Sequence, residues 1–64
     1  MVKINGREES VDCMTVAEYL KGTAYDTRRI AFERNGDIVP KSAYDNTVLE
    51  NGDVIEIVSF VGGG

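Results

Sequence analysis

The sequence predicts one small α+β domain in which a single helix lies on one face of a β-sheet. Three observations support this: strand-like alternation at both ends of the chain, one short amphipathic segment between them, and a length of 64 residues. A chain of this length buries only about 60% of its unfolded surface, which is enough for one small core. One helix covers one face of such a sheet, so we expect an α+β roll with its other face partly open.

The chain begins with a predicted β-hairpin. Apolar and polar residues alternate over residues 1–4, and Asn5-Gly6 is the strongest short signal for a hairpin turn. A second extended segment is expected over residues 7–12. Its acidic side chains predict a charged sheet edge that opposes edge-to-edge aggregation.

The helix is predicted from about Val16 to Lys21. Thr15 is a candidate N-cap with Glu18 three residues later, the pattern of a capping box, and Gly22 is expected to end the helix. The apolar residues at helical spacing are Val16, Tyr19 and Leu20. This stripe is expected to face the sheet, because no other element is available to cover it.

The middle of the chain predicts a strand followed by a short return at the sheet edge. After a loop over residues 23–29, Ile30–Arg34 reads as a strand that is closed by a turn over residues 35–37. Residues 38–39 form a brief extended return, and Pro40 places this return at an edge or bend because proline lacks a backbone donor. A single helical turn capped by Ser42 is expected over residues 42–45.

The last strand has the strongest pattern in the chain. A turn over residues 51–53 leads into a predicted strand over residues 54–61. Alternation assigns Ile55 and Ile57 to the core, since the other face includes a charge. The side chains expected on that other face are Val54, Glu56, Val58 and Phe60. An open sheet face that carries apolar groups predicts a docking surface.

The composition excludes several classes of function. Seven basic residues are scattered among eleven acidic ones, a net charge of −4, which argues against nucleic acid as a partner. The chain has no histidine and one cysteine, so no metal site is expected and histidine-dependent catalysis is excluded. Cys13 is expected to be a small buried hydrophobic residue rather than a persulfide carrier. Without a disulfide, a leader pattern or a long apolar run, we expect a cytoplasmic protein with no membrane contact.

The sequence ends in Gly62-Gly63-Gly64, and this feature bears most directly on function. At an average glycine frequency of about 7%, three glycines at one chosen place arise by chance roughly once in three thousand sequences. Glycine has no Cβ, so such a tail can lie extended in a narrow channel and present its carboxylate to an enzyme. We therefore expect a domain over residues 1–61 and a flexible tail over residues 62–64.

Taken in order, these segments resemble the β-grasp family that includes ubiquitin, and most closely its small bacterial sulfur carriers of thiamin biosynthesis, the ThiS group. The resemblance covers essentially the whole chain. The segments that carry it are Asn5-Gly6 and residues 15–20, 31–41, 51–58 and 60–64. It implies a β-grasp roll, with a mixed sheet of four to five strands and one main helix on one face.

The resemblance also implies a sulfur carrier that is not itself an enzyme and that binds no cofactor. In this family an E1-like adenylyltransferase of the ThiF type uses ATP to adenylate the terminal carboxylate, here that of Gly64. Sulfur that originates from cysteine through a cysteine desulfurase then displaces AMP and leaves a thiocarboxylate. Thiazole synthase (ThiG) takes this sulfur for the thiazole ring of thiamin.

The partner would receive the end of the chain. Gly62 and Gly63 would be threaded into it, and Val58, Phe60 and Val61 are the candidates for its apolar contact surface. By alternation alone, Val58 and Phe60 could equally pack against a neighbouring strand or loop.

Three other functions remain open at this point. The small subunit of molybdopterin synthase uses the same fold and tail chemistry, although its members are usually longer. A ubiquitin-like modifier would join Gly64 to lysines of other proteins. A plain β-grasp binding module would carry a tail without chemical use.

Overall fold

Residues 1–60, which the computed structural model describes, form a five-stranded mixed sheet and one α-helix. The strands are β1 Val2–Ile4, β2 Arg7–Glu9, β3 Ile30–Arg34, β4 Asp37–Ile38 and β5 Val54–Ser59, and the helix is α1 Val16–Lys21. Val61 and the three glycines after it lie outside the described residues, and so does the predicted boundary between domain and tail.

The sheet places the last strand at its centre. The strand order is β2-β1-β5-β3-β4, so β5 lies between β1 and β3. β5 runs parallel to β1, with Lys3 beside Val54, and antiparallel to β3, with Phe32 beside Ile57. The charged β2 and the two-residue β4 form the edges, as predicted. Every element before β5 is therefore arranged around the strand that leads to the end of the chain.

The core lies between the helix and one face of the sheet. The helix contributes Val16, Tyr19 and Leu20, all buried, as its spacing predicts. The sheet contributes alternate residues of its strands, and Phe32 packs against Tyr44 with ring centroids 5.9 Å apart. The predicted α+β roll with one covered face is confirmed.

The predicted capping box at the start of α1 is also confirmed. The backbone N–H of Glu18 donates to Thr15 Oγ1 at 3.1 Å, and the N–H of Thr15 donates to the Glu18 carboxylate at 2.8 Å. The helix ends before Gly22, but that glycine has a φ of −85° and not a left-handed one. Gly22 is nevertheless the C-cap, as predicted, and its N–H donates to the carbonyl of Tyr19 at 3.1 Å. The hydroxyl of Thr23 adds a hydrogen bond to the carbonyl of Leu20 at 2.7 Å.

Three boundaries differ from prediction. β2 ends at Glu9, three residues early. The loop over residues 23–29 contains a 3-10 turn, Thr27–Arg29, because the Asp26 carboxylate accepts the N–H of Arg28 at 3.0 Å. β5 ends at Ser59, although Phe60 N–H still donates to the carbonyl of Arg29 at 2.7 Å.

The predicted cap at Ser42 is wrong. The single turn forms as a 3-10 helix over Lys41–Ala43, with Pro40 at its N-cap position and no side-chain hydrogen bond to the cap. The ring of Pro40 fixes its φ at −68°, which orients the chain into the turn without help from a serine hydroxyl. The strand before it begins at Asp37, one residue earlier than expected, and Val39 N–H still donates to the carbonyl of Phe32.

Candidate functional site

The two faces of β5 separate as the alternation predicts. Ile55 and Ile57 are buried in the core. Val54, Val58 and Phe60 expose 47%, 48% and 59% of their surface. Val58 and Phe60 are therefore not covered by a neighbouring strand or loop of residues 1–60, and they are available for contact with another molecule.

The strand register shows which side chains share this surface. Val58 lies beside Ala31, and Glu56 lies beside Glu33. Glu33 in turn lies beside Ile38 of β4, which is 59% exposed. We call this surface the open face; its members are Lys3, Glu8, Ala31, Glu33, Ile38, Val54, Glu56, Val58 and Phe60. Glu33 and Glu56 lie near its middle with apolar side chains around them, and Lys3 and Glu8 lie towards its β2 edge.

The end of β5 pairs with β3 along one edge, and on the opposite edge it is held by the side chain of Asn5. β1 stops at Ile4, so no strand continues beside the last residues of β5 on that side. The Asn5 amide takes the place of a strand: its Oδ1 accepts the N–H of Ile57 at 2.8 Å, and its Nδ2 donates to the Ile57 carbonyl at 3.3 Å. The same Nδ2 also reaches the hydroxyl of Tyr25 at 3.4 Å. Sequence analysis assigned Asn5 only to the hairpin turn and missed this second role.

The start of β5 is fixed by a network that the sequence analysis also missed. Asp53 is only 6% exposed, and its carboxylate accepts the N–H of Glu50 at 2.9 Å and the Asn35 amide at 3.1 Å. The guanidinium of Arg34 lies 2.9 Å from the same carboxylate. Burial alone would raise the pKa of Asp53, but these hydrogen bonds and the charge of Arg34 together lower that pKa below its ordinary value. The network joins two turns and sets where β5 begins.

Two surface depressions accompany these features. One of about 370 Å³ lies beside the end of β5, between Ser59, Phe60 and the loop that holds Asp26 and Arg29. A larger one, of about 590 Å³, lies between the end of α1 and the 3-10 turns, and no residue of the open face lines it. Neither is lined by Cys13, and the chain has no histidine. The larger depression therefore adds no evidence for the sulfur chemistry that is predicted at the terminal glycines.

The prediction for Cys13 is wrong, because this residue is exposed. Its backbone has a φ of +72°, and its N–H donates to the carbonyl of Leu49 at 2.8 Å. The backbone of Cys13 is therefore hydrogen-bonded to a buried residue, while the residue itself is exposed at the surface. Apolar character was a poor guide here because a turn, rather than a strand or helix, orients the residue.

Three of the seven basic side chains form ion pairs within residues 1–60. Arg28 and Arg29 lie within 3.3 Å and 3.6 Å of the Asp26 carboxylate, and Arg34 pairs with Glu50 and Asp53. The hydrogen bond from the Arg28 backbone is the main cause that lowers the pKa of Asp26. These contacts support a local role for the arginines in holding loops.

The residues predicted to carry the chemistry are Gly64, Gly62 and Gly63, with Val61 as a contact, and all four lie outside the described residues. Their roles stay predictions. The described part of the site consists of Val58, Phe60 and the strand that leads to them. No helix within residues 1–60 has the length and apolar character needed to cross a membrane.

Comparison with known proteins defines the class. A crystal structure of the thiamine biosynthesis protein ThiS from Geobacter metallireducens superposes with a TM-score of 0.81 at 30% identity, covering 98% of this chain and 97% of that one. The domain is therefore a β-grasp domain of the kind found in ThiS proteins. The ThiS family model matches residues 2–64, and the chain belongs to the ThiS family.

Two curated relatives refine this assignment. The sulfur carrier protein ThiS of Bacillus subtilis is 36% identical over an alignment of 66 positions, which covers 100% of both chains. A thiazole synthase of Paramagnetospirillum magneticum is 47% identical over 62 residues, which are 95% of this chain but only 19% of the synthase. The chain thus spans about a fifth of the length of that synthase.

Proposed function

We propose that this chain is a sulfur carrier of thiamin biosynthesis and that the Gly64 carboxylate accepts the sulfur. The observation that carries the proposal is the family match, which runs through the three glycines to residue 64. The full-length similarity to a protein named as a sulfur carrier supports the same role. It also favours a carrier in thiamin biosynthesis over a molybdopterin synthase subunit or a protein modifier. The role needs no catalytic group in the carrier, and we place it in the cytoplasm.

The chemistry follows from the weakness of a carboxylate as an electrophile. An E1-like adenylyltransferase of the ThiF type would join the Gly64 carboxylate to AMP from ATP, with loss of pyrophosphate. A cysteine desulfurase would take the sulfur from cysteine as a persulfide, and a thiol reductant would release it by a two-electron reduction as hydrosulfide, which would then attack the acyl carbon. The bond to AMP breaks, a carbon–sulfur bond forms, and a thiocarboxylate remains. The mixed anhydride divides one difficult substitution into two easier ones.

The folded part of the carrier has two tasks in this scheme. The central strand β5, held between β3 and the Asn5 side chain, gives the tail a fixed starting point. The exposed Val58 and Phe60 provide a contact surface just before that point. Gly62 and Gly63 supply the narrow path to the acceptor, since three extended residues span roughly 10 Å. Tethered sulfur is also kept at high local concentration near the enzyme that uses it.

Thiazole synthase is the proposed consumer of the sulfur. A thiazole synthase contains a segment that is 47% identical to this chain, so carrier-like and synthase sequences occur in one polypeptide there. This association supports thiazole synthase as the partner that takes the sulfur. The adenylyltransferase and the desulfurase are proposed from the resemblance to the family, since one would activate the carboxylate with ATP and the other would provide the sulfur.

Intact mass spectrometry tests the proposal. The chain is incubated with the ThiF-type enzyme, ATP, a cysteine desulfurase, cysteine and a thiol reductant, with a known ThiS carrier in parallel. We expect one oxygen to be replaced by sulfur, only when ATP is present. A variant that lacks Gly64 should fold normally and remain unchanged in mass. An unchanged mass for the full chain, while the known carrier is converted, would contradict the proposal.

A further inference from the structure

Two carboxylates of the open face lie side by side. Glu33 of β3 and Glu56 of β5 are direct partners in the antiparallel register. Side chains at such positions have Cβ atoms about 4.5–5.5 Å apart, and like charges directly opposite destabilise a sheet. A domain selected only for stability would avoid this arrangement.

No basic group among residues 1–60 forms an ion pair with either carboxylate. Arg34, next to Glu33 in sequence, is engaged with Glu50 and Asp53. Lys3 lies on the same side of the sheet, in register with Glu8 of β2 and with Val54 of β5, and its ammonium forms no ion pair with either glutamate. The repulsion between the two glutamates is therefore not relieved within the described part of the chain.

The surroundings of the pair are apolar. Ile38 lies beside Glu33 on β4, and along β5 the neighbours of Glu56 on the same face are Val54 and Val58. Each of these three side chains is about half exposed. A partner that covers them also removes both carboxylates from water, and this is costly unless the partner supplies cations to them.

We propose that the open face docks on a thiazole synthase surface that presents arginine or lysine side chains to Glu33 and Glu56 within an apolar rim. This inference rests on the proposed function and names the chemistry of its partner. Charge complementarity selects a basic surface, and a guanidinium suits it best because its planar fork can bind a carboxylate with two hydrogen bonds. The synthase is selected because a carrier-like segment and a synthase share one chain in the relative from Paramagnetospirillum magneticum.

The two glutamates should therefore lower the stability of the free domain and strengthen its binding to the partner. Replacing one glutamate by glutamine removes the repulsion in the free domain and keeps the shape of the side chain. The same change leaves a cation of the partner without its anion in the complex, and such losses are large when the pair is desolvated. A role in folding alone would not weaken binding while it raises the thermal midpoint.

The test uses the full chain, without sulfur, and the purified thiazole synthase from the same organism. Glu33→Gln, Glu56→Gln and the double variant are compared with Asp45→Asn, which removes one exposed charge outside the open face. We expect each single glutamine variant to bind the synthase about tenfold more weakly or worse, with a smaller dependence on salt and an equal or higher thermal midpoint. Asp45→Asn should bind as the natural chain does.

Unchanged affinity of the glutamine variants would overturn the inference, and so would an equal loss in Asp45→Asn. Affinity for the ThiF-type enzyme is measured alongside, and a loss there as large as the loss for the synthase would also overturn the choice of partner. Because binding is measured without sulfur loading, the outcome is separate from the mass measurement. A chain that loads sulfur but binds the synthase independently of Glu33 and Glu56 would refute only this inference.

Discussion

The two faces of β5 have the same backbone and nearly the same share of apolar residues, yet they serve different ends. On one face Ile55 and Ile57 are buried under the helix. On the other face Val54 and Val58 are about half exposed, and Glu56 lies beside a second glutamate. The buried face carries the apolar residues that form the core. The open face keeps apolar and like-charged residues that contribute nothing to the core, which is the pattern expected of a surface that binds another protein.

The largest effect is expected from a change on the buried face. Ile55→Ala should lower the free energy of unfolding by about 2–5 kcal/mol, because Ile55 is fully buried and the surrounding core cannot close the cavity. Such a loss is comparable with the total stability of a domain of this size, roughly 3–10 kcal/mol. Urea denaturation measures it. The matched change Val58→Ala on the open face should cost less than about 0.5 kcal/mol. Similar losses for both variants would remove the distinction between the faces.

A smaller effect is expected at the start of β5. Asp53→Asn should cost about 2 kcal/mol at neutral pH, since it weakens charge-assisted hydrogen bonds to Arg34, Glu50 and Asn35. The pKa of Asp53 is lowered in the folded state, so its contribution is complete above the unfolded value of about 3.9 and is lost as the pH falls through the lowered folded value. Denaturation at several pH values measures this.

The difference in stability between the natural chain and Asp53→Asn should therefore shrink below about pH 4. Asp45→Asn serves as the control, because Asp45 is exposed and is not part of the network. A difference that stays constant down to the lowest pH at which both proteins fold would mean that the Asp53 charge does not stabilise this end of the strand.

The smallest effect is expected where Asn5 supports the end of β5. Asn5→Gly keeps the left-handed backbone, φ +49°, but removes the amide that pairs with Ile57. We expect a loss of about 1 kcal/mol and faster hydrogen exchange at the Ile57 amide. Asn5→Ala removes the amide and also strains the backbone, so it should be less stable than Asn5→Gly. Undiminished protection of the Ile57 amide in Asn5→Gly would show that this side chain does not hold the strand.

Features that depend on neighbouring residues were predictable from the sequence. The capping box joins Thr15 to Glu18 within one helical turn, and the helix bounds were predicted correctly. The faces of β5 follow from strict alternation, which any strand obeys. The burial of Ile55 and Ile57 was therefore predicted correctly, whereas alternation alone left open whether Val58 is exposed.

Features that depend on distant residues were not predictable in this way. The amide of Asn5 meets Ile57 across 52 positions in sequence, and no local pattern signals that contact. Asp53 was read as a turn residue, and its burial depends on Arg34 of another strand. Cys13 was misjudged because a left-handed turn residue does not follow the apolar patterns of helices and strands. The terminal glycines were identified by composition alone, and their role stays a prediction.

The exposure of Cys13 makes one measurement the most direct test of the central claim, since a surface thiol is a second possible place for sulfur. The chain is loaded in the presence of ATP and then digested, and tandem mass spectrometry locates the added sulfur; Cys13→Ser is treated in parallel. We expect the sulfur to replace one oxygen in the peptide that ends at Gly64, equally in both proteins. Sulfur found as a persulfide on Cys13, and absent from Cys13→Ser, would contradict it.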